Sequence, residues 1–166
     1  MICVDTMVLI WGIQKKASKT QQEMIGRTGR WLRSLPSNQR VMVPSVVVAE
    51  FLLKFRGPEK ARYLRALEAN FYIPSLDLPS AALAADLRSR AKSIGGHIDR
   101  EVIKSDCYIL ATAIVHGASA IVTENRSDFL KLCGGRIRIE SIPEIPEQMD
   151  LAGDLPTVVK RPRKKR

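Results

Sequence analysis

Short apolar runs alternate along the chain with longer stretches whose apolar residues recur every three or four positions, a pattern of strands separated by helices. Ile2-Cys3-Val4 is a buried strand ending in Asp5. Met24, Thr28, Trp31, Leu32 and Leu35 fall at helical spacing, and Pro36-Ser37-Asn38 ends that helix. Val41-Met42-Val43 is a second strand. Pro44-Ser45 starts a helix carrying Val46 to Lys54, with Ser45 as its expected N-cap. Gly57-Pro58 breaks the chain and begins another, with Ala61, Leu64 and Leu67 on its buried face. Tyr72-Ile73 to Leu78 is a weak strand candidate, interrupted by Pro74 and Pro79. Leu83, Leu87 and Ala91 form a helical stripe closed by Gly95-Gly96. Ser105 is the expected cap of a helix from Asp106 to His116, stopped by Gly117. Ala120-Ile121-Val122 and Ile137 to Ile139 complete the strands. The alternation predicts an α/β fold whose central sheet is mainly parallel and flanked by helices.

Such a sheet brings the carboxyl ends of strands and the amino ends of helices to one edge, where ligands bind. Four acids fall there: Asp5 after the first strand, Glu50 early in the helix after the second, Asp106 at a helix start, and Asp128 after the third strand. Each has a plainer reading on its own: a strand-end turn for Asp5, a salt bridge to Lys54 for Glu50, a dipole partner for Asp106, a helix cap for Asp128. Glu50, set among Val46-Val47-Val48-Ala49 and Phe51-Leu52-Leu53, is expected to be partly buried. Clustered carboxylates repel, by about 4 kcal/mol for a pair 4 Å apart at an effective dielectric near 20. Bound divalent cations relieve that repulsion, and oxygen ligands suit magnesium or manganese rather than zinc.

Charge selects the substrate class. The 166 residues carry a formal net charge of +10, and +4 remains without the six basic side chains of residues 160–166. A basic protein attracts polyanions through counterion release, so nucleic acid is the leading partner. Magnesium on carboxylates in such a protein points to phosphodiester chemistry. Lys54, Arg56, Lys60, Arg62 and Arg65 concentrate charge around Gly57-Pro58 and are candidate RNA contacts, or equally a solvated face.

Ile2-Cys3-Val4-Asp5-Thr6, Val48-Ala49-Glu50-Phe51, Lys104-Ser105-Asp106-Cys107-Tyr108-Ile109-Leu110-Ala111-Thr112-Ala113 and Ile121-Val122-Thr123-Glu124-Asn125-Arg126-Ser127-Asp128-Phe129 resemble, in order and spacing, the four signature blocks of PIN-domain nucleases. The resemblance covers roughly residues 1–140. It implies a three-layer PIN-like fold and an endoribonuclease dependent on magnesium or manganese. Asp5, Glu50, Asp106 and Asp128 would be its catalytic and metal-binding acids, with Thr6, Thr123 and Asn125 hydrogen-bonding around them. It further implies a homodimer and, as for VapC-type toxins, a cognate antitoxin. Cys107 after the third acid and the long basic tail depart from the family pattern. Two other readings remain: an RNA-processing PIN nuclease without antitoxin, and a non-catalytic nucleic-acid-binding module.

The remaining signals set limits. Length fits one domain, with residues 1–145 as the nuclease unit and 146–166 as a loosely ordered basic tail. No apolar run approaches a membrane span, and the N-terminus lacks a secretory signal, so a cytoplasmic protein with no membrane contact is expected. Cys3, Cys107 and Cys133 are odd in number and far apart, which favours neither disulfides nor zinc. His97 and His116 do not form a paired-imidazole ribonuclease, no phosphate-binding glycine loop follows a strand, and Met7 stands where an Asp-x-Asp phosphatase would need its second acid.

Overall fold

The computed structural model describes residues 1–94 and 100–146. Its strands β1 (Ile2–Val4), β2 (Val41–Met42), β3 (Ala120–Val122) and β4 (Arg138–Glu140) form one sheet in the order β2-β1-β3-β4. Every neighbouring pair is parallel, with Val4 opposite Val122 at the centre. Seven α-helices are described: α1 (Thr6–Leu9), α2 (Gln22–Ser34), α3 (Ser45–Leu52), α4 (Gly57–Asn70), α5 (Leu78–Ile94), α6 (Arg100–Val115) and α7 (Arg126–Cys133). α1 runs on into a wider turn over Ile10–Gln14, against which α2 packs, while α5, α6 and α7 pack on one another. Strand order reverses between β1 and β3. Right-handed crossovers therefore put α2 on one face and α5 to α7 on the other. β3, covered on both sides, is buried at all three residues, which is why Ala120-Ile121-Val122 reads as a continuous apolar run.

The expected parallel α/β architecture is the one observed. Four local expectations change. Ser45 is the first residue of α3 rather than its cap, because its N–H is already bonded to the Pro74 carbonyl, 3.0 Å away. Leu64 is 37% exposed, and Tyr63 takes its place beside Leu67. The reason is an aromatic cluster: Tyr63 sits 4.4 Å from Phe55 and 5.3 Å from Phe51 between ring centroids, which sets the rotation of α4. The weak strand survives only as a short parallel bridge of Tyr72 to Met42; Pro74, lacking an N–H, cannot continue it, and Asp77 then accepts from the Ser80 N–H at the start of α5. α6 starts at Arg100, so Ser105 and Asp106 lie inside the helix and not at its mouth. At its other end Gly117 adopts φ +74°, as expected of the residue after a helix. The loop of Gly95-Gly96 and His97, and the tail from residue 147 on, lie outside the described residues.

The contact between the wider turn Ile10–Gln14 and α2 has little slack. A Cβ added to Gly12 would lie 2.6 Å from Leu32 Cδ1 and 3.1 Å from Cγ2 of Thr28, a residue with no exposed surface. Gly12→Ala should therefore cost ~1–3 kcal/mol through overpacking. A melting temperature several degrees lower is the expected reading; an unchanged one would mean that Leu32 swings aside freely.

Candidate functional site

β1 and β3 lie side by side at the point where strand order reverses, and each releases a polar residue at its carboxyl end: Asp5 and Thr123. Asp5 is only 6% exposed and does two things there. One oxygen accepts the Val8 N–H at 3.2 Å and caps α1; the other accepts the Thr123 hydroxyl. Thr123 in turn accepts the Asn125 N–H at 2.9 Å, and Asn125 donates through Nδ2 to Asp106 at 3.3 Å. The strand-end turn reading of Asp5 holds, since it caps α1, and the same side chain also reaches Thr123. The β3–α7 connection ties Asp5 on β1 to Asp106 on α6.

Glu50 comes from the second turn of α3 and is exposed, contrary to the partial burial expected from its apolar neighbours. Only some of those neighbours turn inward: Val47 and Phe51 face the core, while Glu50 lies at the edge of that face, toward the exposed Ala49 and Leu53. Among the described residues its bonded partners are hydroxyls rather than Lys54: one oxygen accepts from Thr6 and the other from Ser105. Asp5, Thr6, Met7, Glu50, Ser105, Asp106, Ile109 and Asn125 line one cleft of about 320 Å³. A second groove of about 600 Å³ shares Thr6 and Glu50 with it and runs outward past Lys16, Gln21 and Lys54.

Asp128 does not line the cleft. It sits in the first turn of α7, whose N-cap is Asn125, and pairs with Lys131 at 3.5 Å. Its charge nonetheless reaches the site. Asp106, 7% exposed, has its pKa pushed up to about 7, first by burial and then by the charges of Asp128, Asp5 and Glu50. Asp5 is raised as well, by burial, with the Thr123 and Val8 hydrogen bonds opposing and Glu50 adding to the rise. All four acids therefore act on one local field.

Among the described residues, no three carboxylate, imidazole or thiolate side chains converge closely enough to cage a metal ion as they stand. The donor set still fits one kind of ion. Its ligands are carboxylate oxygens, suited to a hard divalent cation, and the raised Asp106 marks negative charge that such a cation would neutralise.

The basic group divides. Lys54 lines the outer groove. Arg56 folds back on the Leu53 and Phe55 carbonyls, at 3.1 and 3.2 Å, and Arg62 lies 5.0 Å over the Tyr63 ring. Lys60 and Arg65 are exposed on α4. His116 stands between Tyr72 and Asp77, its Nδ1 3.2 Å from the Tyr72 hydroxyl and its Nε2 3.3 Å from the Asp77 carboxylate. Ten residues along α6 from Asp106, it is about 15 Å from the cleft. The three thiols are free and buried, that of Cys107 with its pKa raised to about 11 by burial and by Asp106.

Ser105 is the cleft residue that the sequence did not flag. Read as a helix cap, its hydroxyl is assigned to the backbone; with α6 starting at Arg100, it is free to reach Glu50.

The PIN domain family model matches residues 2–134. Among solved structures, FitAB bound to the IR36 DNA fragment is 26% identical, covering 85% of this chain and 94% of that one, with a TM-score of 0.63. FitAcB from Neisseria gonorrhoeae is 27% identical over 84% and 96% of the two chains, with a TM-score of 0.61. A toxin–antitoxin complex from Klebsiella pneumoniae shares the fold at 19% identity, over 87% of this chain and 100% of that one, with a TM-score of 0.60. No curated protein matches the chain.

Proposed function

The chain belongs to the PIN-domain family, and we propose that its acidic cleft is the active site of a metal-dependent endoribonuclease, the toxin of a toxin–antitoxin pair. The observation that carries this reading is the convergence of Asp5, Glu50 and Asp106 on one cleft at the reversal of strand order, with the charge of Asp128 pressing on Asp106. An idle binding module has no use for carboxylates that repel one another. A basic chain with such a cleft suits a phosphodiester substrate.

Asp5, Glu50 and Asp106, with Asp128, would hold magnesium or manganese. When bound, the ion supplies activation of water for attack on phosphorus and neutralises charge on the phosphate oxygens. The chain's own residues prepare for it. Thr123 and Asn125 fix the rotamers of Asp5 and Asp106. Met7 and Ile109 form an apolar wall that limits water in the cleft. Lys16 and Lys54, along the outer groove, are placed to pair with flanking phosphates, with Arg56, Lys60, Arg62 and Arg65 as a more distant positive field. An antitoxin partner is supported by the toxin–antitoxin relative. A homodimer in the cytoplasm, with a nuclease unit over 1–145 and a basic tail over 146–166, completes the reading. Among the described residues, no helix is long and apolar enough to cross a membrane.

The test is cleavage of end-labelled RNA by chelator-stripped protein with and without added manganese. Fragments carrying 5′-phosphate and 3′-hydroxyl ends, formed only with metal, are expected. Fragments with 2′,3′-cyclic phosphate ends, formed without metal, would overturn the mechanism. Retention of RNA with no cleavage of a mixed transcript pool would favour the binding module. Purification with no bound partner from cells expressing the neighbouring genes would favour RNA processing over the toxin role.

A further inference from the structure

Both Glu50 oxygens are held by hydroxyls, and the two donors line the cleft from different helices, α1 and α6. Thr6 follows Asp5 at the start of α1, and Ser105 precedes Asp106 within α6. Each of the two buried acids thus has a neighbouring hydroxyl that grips the third, exposed one. The arrangement answers a physical problem. Glu50 has a long, rotamer-rich side chain whose immobilisation costs conformational entropy, and its charge lies in the same cleft as those of Asp5 and Asp106. Left to itself, the carboxylate gains by turning outward to water. Hydrogen bonds to a charged acceptor are stronger than neutral ones. Two of them suffice to hold it over the cleft.

We propose that Ser105 is a positioning residue, which with Thr6 holds the Glu50 carboxylate in place before a cation arrives. This rests on the reading of the cleft as a divalent-metal site. An incoming ion then meets Glu50 already turned toward the cleft that Asp5 and Asp106 line, so that closing on the ion takes less rearrangement. In this role Ser105 acts through Glu50. Partners that orient a ligating side chain are typically worth 10–100-fold in metal affinity.

Manganese binding to the full-length, chelator-stripped protein tests this, measured by calorimetry with the electron-paramagnetic signal of free manganese as a second readout. Ser105→Ala is expected to weaken binding ~10-fold, and Ser105→Thr, which keeps the hydroxyl, to stay within about twofold of wild type, on the same reasoning. In a Glu50→Gln background, Ser105→Ala should cost nothing further, since the group it positions has lost its charge. The melting temperature of metal-free Ser105→Ala should match that of wild type, separating the effect from misfolding. Wild-type affinity in Ser105→Ala, or an equal loss in the Glu50→Gln background, overturns the role of Ser105 while the metal reading stands. Absence of manganese binding in wild type itself overturns both.

Discussion

Asp106→Asn should abolish metal-dependent RNA cleavage, with a loss above the ~10–100-fold typical of outer-shell partners, while the metal-free protein becomes at least as stable as wild type. The two halves follow from one cause. Asp106 is a buried carboxylate facing the charges of Asp128, Asp5 and Glu50, so in the absence of a cation its ionised form is a source of repulsion. Asparagine has the same shape and keeps an oxygen to accept the Asn125 amide, yet it carries no charge. The fold loses nothing and the repulsion falls, but a cation in the cleft would lose a buried anionic ligand. Asp5→Asn should behave alike in cleavage, since Asn is as good an N-cap as Asp for α1. Cleavage rates and thermal melts on the same preparations decide it. If both variants cut at the wild-type rate, the acidic cleft is not the active site.

Melting temperature in the metal-free state should fall as pH rises from about 5 to 8, and manganese should reverse the fall. Asp106 holds its proton up to about pH 7 in the folded chain, against ~3.9 for an unfolded aspartate. With the folded pKa the higher of the two, the contribution to stability is fully present below about pH 4. It is lost as pH climbs to about 7, because the unfolded state releases the proton first. Asp5, also raised, acts in the same direction. A cation held by the ionised cleft would stabilise most where the apo protein is weakest. At one hundred times its dissociation constant it adds ~2.7 kcal/mol, or roughly 5–10 °C for a chain of this size. Asp106→Asn should show a shallower slope with pH and little response to manganese. A wild-type melting temperature that climbs from pH 5 to 8 without metal would contradict the repulsion on which the site argument depends.

The sequence carried the strands and helices because their signals are local. Ile2-Cys3-Val4 and Ala120-Ile121-Val122 are apolar at every position, as buried parallel strands must be, and Gly117 ends α6 through its own φ preference. It also brought the four acids to one edge of the sheet, since in a parallel α/β fold the edge follows from the order of elements alone. Asp5, Glu50 and Asp106 line one cleft there.

What escaped it depended on partners distant along the chain. Glu50 looked buried because its neighbours are apolar, yet helix rotation turns Val47 and Phe51 inward and leaves Glu50, with Ala49 and Leu53, exposed. Ser105 looked like a cap because Ser favours helix ends, yet α6 begins five residues earlier and the hydroxyl meets an acid 55 positions away. Asp128 looked equivalent to the other three acids and is set apart by its pairing with Lys131, acting on the cleft through its field. Leu64 gave way to Tyr63 through contacts with Phe51 and Phe55. By itself, then, the sequence determined which elements form and which edge collects the acids, because periodicity and backbone preference are properties of neighbouring residues. Which oxygen is held by which hydroxyl, and how far each carboxylate leaves water, was decided only by tertiary packing, because both depend on the distance and rotation between elements that no local pattern encodes.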